Sequence, residues 1–209
     1  MSGKKPTPYE IKPALMNAAK RLFLQNGIAS TEMKSIAAEA GLSRSTLYRY
    51  MIDKNRLAFL VAAEVLQNIT EQNITFSADD HLSGYDKLYQ FTQHFITMLC
   101  SNVELISFLS EFDSIFRGEY PSITEADEYI DTIKRMLHRT AQFLFEGMAD
   151  GSIRSLDNPL FYTSIMINTL FGLAERMLPR GEHYKQEHQA NPEKVLMTTA
   201  DILLAYIKK

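Results

Sequence analysis

The stretch TEMKSIAAEAGLSRSTLYRYMIDKNR, Thr31 to Arg56, reads as two short helices around a tight turn, followed by the start of a third. Thr31 is a cap candidate for the first helix, with Glu32 in the first turn, where an acid suits the helix dipole. Ile36, Ala37 and Ala40 then recur at helical spacing on one face. Gly41 supplies the stop, because only glycine enters the left-handed region without steric cost. Leu42 plugs the turn into the apolar side, and Ser43 is a strong cap for a second helix over Arg44 to Tyr50.

That second helix carries only one plainly apolar residue, Leu47; the rest is Arg44, Ser45, Thr46, Tyr48, Arg49 and Tyr50. A buried helix would be more apolar, and a merely solvated one would carry acids, which are absent from Ser43 to Ile52. Short hydroxyls, arginines and tyrosines suit phosphates and base edges. A helix of this size fits the major groove of B-form DNA, and its first residues touch the bases.

The pattern T-x(4)-IA-x(2)-AG-LSRSTLYRY-x(3)-K resembles the DNA-binding signature of the TetR family (tetracycline-repressor-type regulators) over about the first quarter of the chain. Two departures stand out: Met51 replaces the usual phenylalanine, a tolerable core exchange, and Met33 and Lys34 replace other residues near the readout surface. The resemblance implies an all-α protein of about nine helices, with a three-helix helix-turn-helix domain over 1–56 and an effector-binding and dimerisation domain over 57–209. It also implies a division of labour on double-stranded operator DNA. Phosphate anchoring falls to Thr46, Tyr48, Lys54 and Thr31, base readout to Arg44, Ser45 and Arg49 behind the Ser43 cap, and either role to Lys34 and Tyr50. Lys54 at the head of a helix is poorly placed for the dipole, and a DNA phosphate would favour it there.

Charge distribution agrees. Residues 1–57 hold ten Lys/Arg against four Asp/Glu, a surplus of +6, whereas the rest holds twelve against twenty-one, or −9. A basic head on an acidic body fits a nucleic-acid contact at one end. The single cysteine, Cys100, excludes an intrachain disulfide and points to a reducing cytoplasm. The first residues carry no apolar run of the signal-peptide kind, and no stretch reaches the ~18 apolar residues of a membrane span.

Outward from the signature, helices are expected over Ile11 to Asn26, Lys54 to about Thr75 behind an Asp53 cap, a segment to about Ser101 opened by Ser83 with Asp86, Val103 to Phe116, Thr124 to Ala149, a segment opened by Asp157 and Pro159 to about Met177, and one opened by an Asn191 cap and Pro192 that runs nearly to the end. Glu182 to Ala190 reads as a polar loop. The last two helices are unusually apolar: Tyr162, Met166, Leu170, Leu173 and Met177 line up on one, and Val195, Thr199, Ile202 and Tyr206 on the other. A two-fold four-helix interface would cover both stripes, part of each also serving the core. The resemblance implies such a homodimer, and two recognition helices about 34–36 Å apart would reach successive major grooves.

Between signature and interface lies a Phe- and Met-rich region in which Phe91, His94, Met98, Phe108, Glu111, Phe112, Arg135 and His138 are candidates for a small-molecule effector pocket. For any one of them, core packing or a surface ion pair is the plainer reading. No nucleophile motif, metal-ligand spacing or phosphate loop is visible, so neither a catalytic site nor a metal or cofactor is expected. The best-supported reading is a homodimeric, sequence-specific regulator of transcription, acting as a repressor released by an effector of unknown identity. The alternative is a helical module that coats DNA without sequence preference, or binds protein, and takes no ligand.

Overall fold

The computed structural model describes residues 8–43, 46, 53–76 and 81–209. These form nine helices and no strand: α1 (Pro8–Asn26), α2 (Met33–Glu39), α3 (Lys54–Phe76), α4 (Gly84–Ser101), α5 (Val103–Ile115), α6 (Thr124–Asp150), α7 (Pro159–Met177), α8 (Gly181–His188) and α9 (Pro192–Ile207). The expected recognition helix over Arg44 to Tyr50 lies outside the described residues, save Thr46.

Several boundaries follow from local chemistry. The Ser83 hydroxyl donates to the Asp86 carboxylate at 2.6 Å and accepts the Asp86 N–H at 3.1 Å, closing a reciprocal cap on α4. At α9 the Asn191 side-chain oxygen accepts the Glu193 N–H at 2.9 Å, and Pro192 follows in the first turn, where its missing N–H costs nothing. Asn158, rather than Asp157, caps α7 by accepting the Phe161 N–H at 3.0 Å. Helix α1 begins at Pro8, three residues before the expected start, so Pro13 sits deeper inside than one turn. A single interior proline removes one backbone bond and does not end the helix here.

Glu182 to Ala190, expected as a loop, is largely the helix α8. It has no buried residue, which is why no apolar periodicity announces it. Ion pairs hold it instead: Arg180 Nη2 lies 2.6 Å from both oxygens of Glu187, and Lys185 Nζ lies 2.6 Å from Glu182.

The chain divides into two compact units, Met1–Val65 with Ser107–Ile130, and Leu66–Ile106 with Asp131–Lys209. The first is built on aromatic rings. Phe59 is fully buried and meets the edge of Phe112 at 4.9 Å, with Phe116 at 4.6 Å and Tyr129 at 5.7 Å. Phe108 stacks on Phe23 at 6.2 Å. Each offset or edge-on pair adds to the area term of burial.

In the second unit α9 packs on α4 and α7. Leu88, Ile96, Leu99, Leu196, Ala200 and Leu204 are buried there. Helices α4 and α6 approach so closely at Gly84 and Gly147 that their backbones touch: a β-carbon on Gly84 would lie 2.0 Å from the Gly147 nitrogen. Asp150 seals the same corner. Its carboxylate accepts the Gly84 N–H at 2.7 Å and the Ser152 N–H at 2.8 Å, and the Ser152 hydroxyl first, then these two N–H groups, hold its pKa below the ordinary 3.8. The loop then pairs with the chain's last residues, Arg154 N–H donating to Ile207 carbonyl at 2.9 Å.

Two outcomes are expected from this corner. Gly84→Ala forces backbone against backbone and should destabilise the protein by about 1–3 kcal/mol or more in urea unfolding. The Asp150 contribution is complete above the unfolded carboxylate value and fades as pH falls through the lower folded one. Asp150→Asn should therefore flatten the loss of unfolding free energy below about pH 4, followed by urea titrations at stepped pH.

Candidate nucleic-acid interface and effector cleft

Helix α2 ends as its sequence requires. Gly41 adopts φ +67, the Gly41 N–H donates to Ala38 at 3.0 Å, and the Leu42 N–H reaches back to Ala37 at 2.8 Å. This paired closure satisfies the carbonyls of Ala37 and Ala38 and turns the chain sharply. Ser43 follows immediately. Its hydroxyl oxygen accepts the Thr46 N–H at 3.3 Å and shares a 2.9 Å bond with the Thr46 hydroxyl. Ser43 and Thr46 are thus brought together at the head of the segment expected to enter the groove, while Arg44, Ser45, Tyr48, Arg49 and Tyr50 lie outside the described residues.

Thr31 does not cap α2. The capping position is Glu32, whose side chain makes no cap bond. Thr31 is 4 % exposed and its hydroxyl donates inward to the Gly27 carbonyl at 2.6 Å, so it closes the turn between α1 and α2 rather than facing outward. Lys34 is exposed and lies 2.8 Å from Glu32, which holds the Glu32 carboxyl below its usual range.

The turn at residues 27–31 is gripped from two directions. Glu111 of α5 accepts the Ile28 N–H at 2.7 Å on one oxygen and the Ala29 N–H at 2.9 Å on the other. Lys54, in the first turn of α3, donates to the carbonyls of Ala29 at 3.1 Å and Thr31 at 3.3 Å. Gly27 is required twice here, by its φ of +81 and by the Glu111 oxygen that a β-carbon would meet at 2.8 Å. Asp53 caps α3 through the Arg56 N–H at 2.9 Å, and the Arg56 guanidinium reaches both oxygens of buried Glu125 at 3.1 and 3.3 Å. The one nitrogen Nη1 spans both oxygens, and a charge-assisted bond of this kind on a sequestered carboxylate is stronger than a neutral one.

The eight expected pocket residues divide between the two units. Phe108 and Phe112 are buried in the aromatic cluster of the first unit, and Glu111 is committed to the turn. Phe91 and Met98 are core residues of the second unit, Phe91 lying 5.8 Å from the Phe143 ring, and His94 is half-buried on the same helix. Arg135 and His138 line a cleft. It is half-open, has a volume of about 590 Å³, and is formed within the second unit by Gln67, Thr70 and Glu71 of α3 opposite α6. That places it in the size range of small-molecule sites.

The two terminal stripes split similarly. Tyr162, Met166, Leu170 and Met177 face the core, and Leu173, Val195 and Thr199 are half-buried. The buried Tyr162 hydroxyl donates to the Leu203 carbonyl, and burial pushes its pKa up to about 12. Ile202 and Tyr206 are 66 % and 61 % exposed. The outward apolar residues of α7 are Phe161 at 64 % and Ile165 at 38 %, one position back from the inward stripe. A helix apolar on two faces hides its register from sequence, and no signal in the sequence alone separates Phe161 and Ile165 from the inward stripe.

Among the described residues no group of three or more His, Cys, Asp or Glu is placed to hold a metal, and no single helix is long and apolar enough to cross a membrane. Residues 15–60 match the family model described as bacterial regulatory proteins, tetR family. No curated protein matches the chain closely enough to count as a relative. Solved structures do. A Mesorhizobium loti MAFF303099 protein assigned to the tetR-family transcriptional regulators is 20% identical, with 98% of this chain and 100% of that chain covered and a TM-score of 0.68. The fatty acid degradation regulator FadR from Bacillus halodurans is 14% identical, covering 96% and 97%, with a TM-score of 0.67. SmeT, the repressor of the Stenotrophomonas maltophilia multidrug efflux pump SmeDEF, is 17% identical, covering 98% and 92%, with a TM-score of 0.64. The Gly41 turn, the Ser43–Thr46 pair and the Lys54 clamp all fall inside the matched segment; over residues 15–60 the chain is similar to the tetR-family regulatory proteins, and its described helices have the fold of tetR-family regulators.

Proposed function

We propose that this protein is a homodimeric, sequence-specific DNA-binding regulator of transcription, a repressor that lets go of its operator when a small molecule binds the helical body. The observation that carries the reading is the match over residues 15–60 together with its local build, a glycine-closed turn leading directly into the hydrogen-bonded Ser43–Thr46 pair. Regulators of this type work by binding DNA and not by catalysis. The domain division we favour sets the DNA-binding part at 1–56 and the effector and dimer part at 57–209, with the protein acting in the cytoplasm.

In this reading Arg44, Ser45 and Arg49 read base edges, Thr46 and Tyr48 hold phosphates, and Tyr50 and Lys34 do either. Lys54 has a second task in our scheme. Its ammonium already braces the turn through two carbonyls, and its third proton is suited to a phosphate oxygen. Thr31 serves by shaping that turn. The dimer forms through α7 and α9, with exposed Phe161, Ile165, Ile202 and Tyr206 as its apolar centre. The effector enters the cleft between α3 and α6. Helix α3 is continuous from Lys54 to Phe76, so a ligand preferring one setting of its far end biases the turn that Lys54 braces.

Gel shifts against the chain's own upstream region, and against scrambled duplex, test the assignment. Arg44→Ala should relax operator preference, costing about 1–3 kcal/mol on the cognate site, whereas Lys54→Ala should weaken all duplexes about equally. Uniform loss in both variants would reject the division of roles. Sedimentation of the Phe161→Glu/Ile202→Glu variant should show a monomer with unchanged helical content; a persistent dimer would move the interface elsewhere.

A further inference from the structure

We propose that the cleft between α3 and α6 takes a small organic anion, a carboxylate or phosphate ester on a compact apolar body. This deepens the effector reading and rests on it. The argument is one of local charge. Asp131 is answered within its own helix by Lys134 at 3.3 Å, and on the opposite wall Glu71 accepts the neutral Gln67 side-chain N–H at 2.8 Å and keeps its charge, so the two arginines of the lining leave it one positive charge in surplus. Arg135 and Arg139 remain, one helical turn apart on the same wall, with His138 beside them. Two like charges at that spacing oppose the helix they stand on, and an anion bridging them removes the cost. A guanidinium has five N–H donors, and the bond from Arg135 to the Thr132 hydroxyl at 2.8 Å takes one. Two such forks suit a planar carboxylate or a phosphate rather than a diffuse anion. Thr70 and Met136 line the same space and give the body of the ligand something apolar to lie against. The volume of about 590 Å³ admits a molecule larger than an inorganic ion.

The test is a fluorescence titration of the full-length protein with 1-anilinonaphthalene-8-sulfonate, competed by decanoate, decanol and decyltrimethylammonium. Decanoate should displace the dye best, and Arg135→Ala/Arg139→Ala should weaken decanoate by about tenfold or more while changing decanol little. Arg135→Lys/Arg139→Lys, which keeps the charge and loses the fork, should retain part of the affinity and guards against a misfolded alanine variant. A site that prefers the cation, binds nothing, or holds decanoate equally well in the alanine variant overturns the proposal. Gel shifts on the same preparations keep the two claims apart. Charge-selective binding without any operator binding would sink the regulator reading alone, and operator binding with no selectivity among the three competitors would sink the anion site alone.

Discussion

One carboxylate organises the first unit. Glu111 is 83 positions from the turn it grips, yet both of its oxygens end on the N–H groups of Ile28 and Ala29. Those donors sit past the end of α1, where no helix can satisfy them, and an unmet N–H in a half-buried turn is costly. Supplying the acceptors from α5 explains why residues 107–130 belong with the N-terminal segment. The aromatic cluster then follows: α5 is held where Phe108 meets Phe23 and Phe112 meets Phe59. Lys54 completes the arrangement with the opposite charge, taking the carbonyls of the same turn. Donors on one side and acceptors on the other are matched by groups of the right sign.

Local signals were legible in the sequence because their physics is local. Ser83 with Asp86, Asn191 with Pro192, and Gly41 followed by Ser43 each name a helix end through a bond spanning at most five residues. The Asp53 cap belongs with them. Thr31 was misread because a cap and a turn-closing hydroxyl use the same residue type, and only the burial of the turn decides between them.

What escaped was non-local or two-sided. Nothing in an isolated α5 says that Glu111 will find a turn far along the chain, although an acid between Phe108 and Phe112 is a hint. Helix α8 has no apolar stripe to read. On α7 two apolar faces compete, and the inward one was taken for the interface; the structure gives Met166 and Leu170 to the core and leaves Phe161 and Ile165 outside. The effector candidates were chosen on composition, which is that of any packed interior, and of the eight it is Arg135 and His138 that line the cleft between α3 and α6.

The Gly84–Gly147 crossing has one more implication. Where side chains separate two helices, they can slide by repacking, as rotamers absorb the displacement. Here main chain rests on main chain, with Asp150 bolting the corner, so no such cushion exists. The crossing sets the distance between α4 and α6, while the Lys87–Glu146 ion pair at 2.8 Å and the Phe91–Phe143 ring contact at 5.8 Å set their angle, so the two helices are pinned at three heights rather than one.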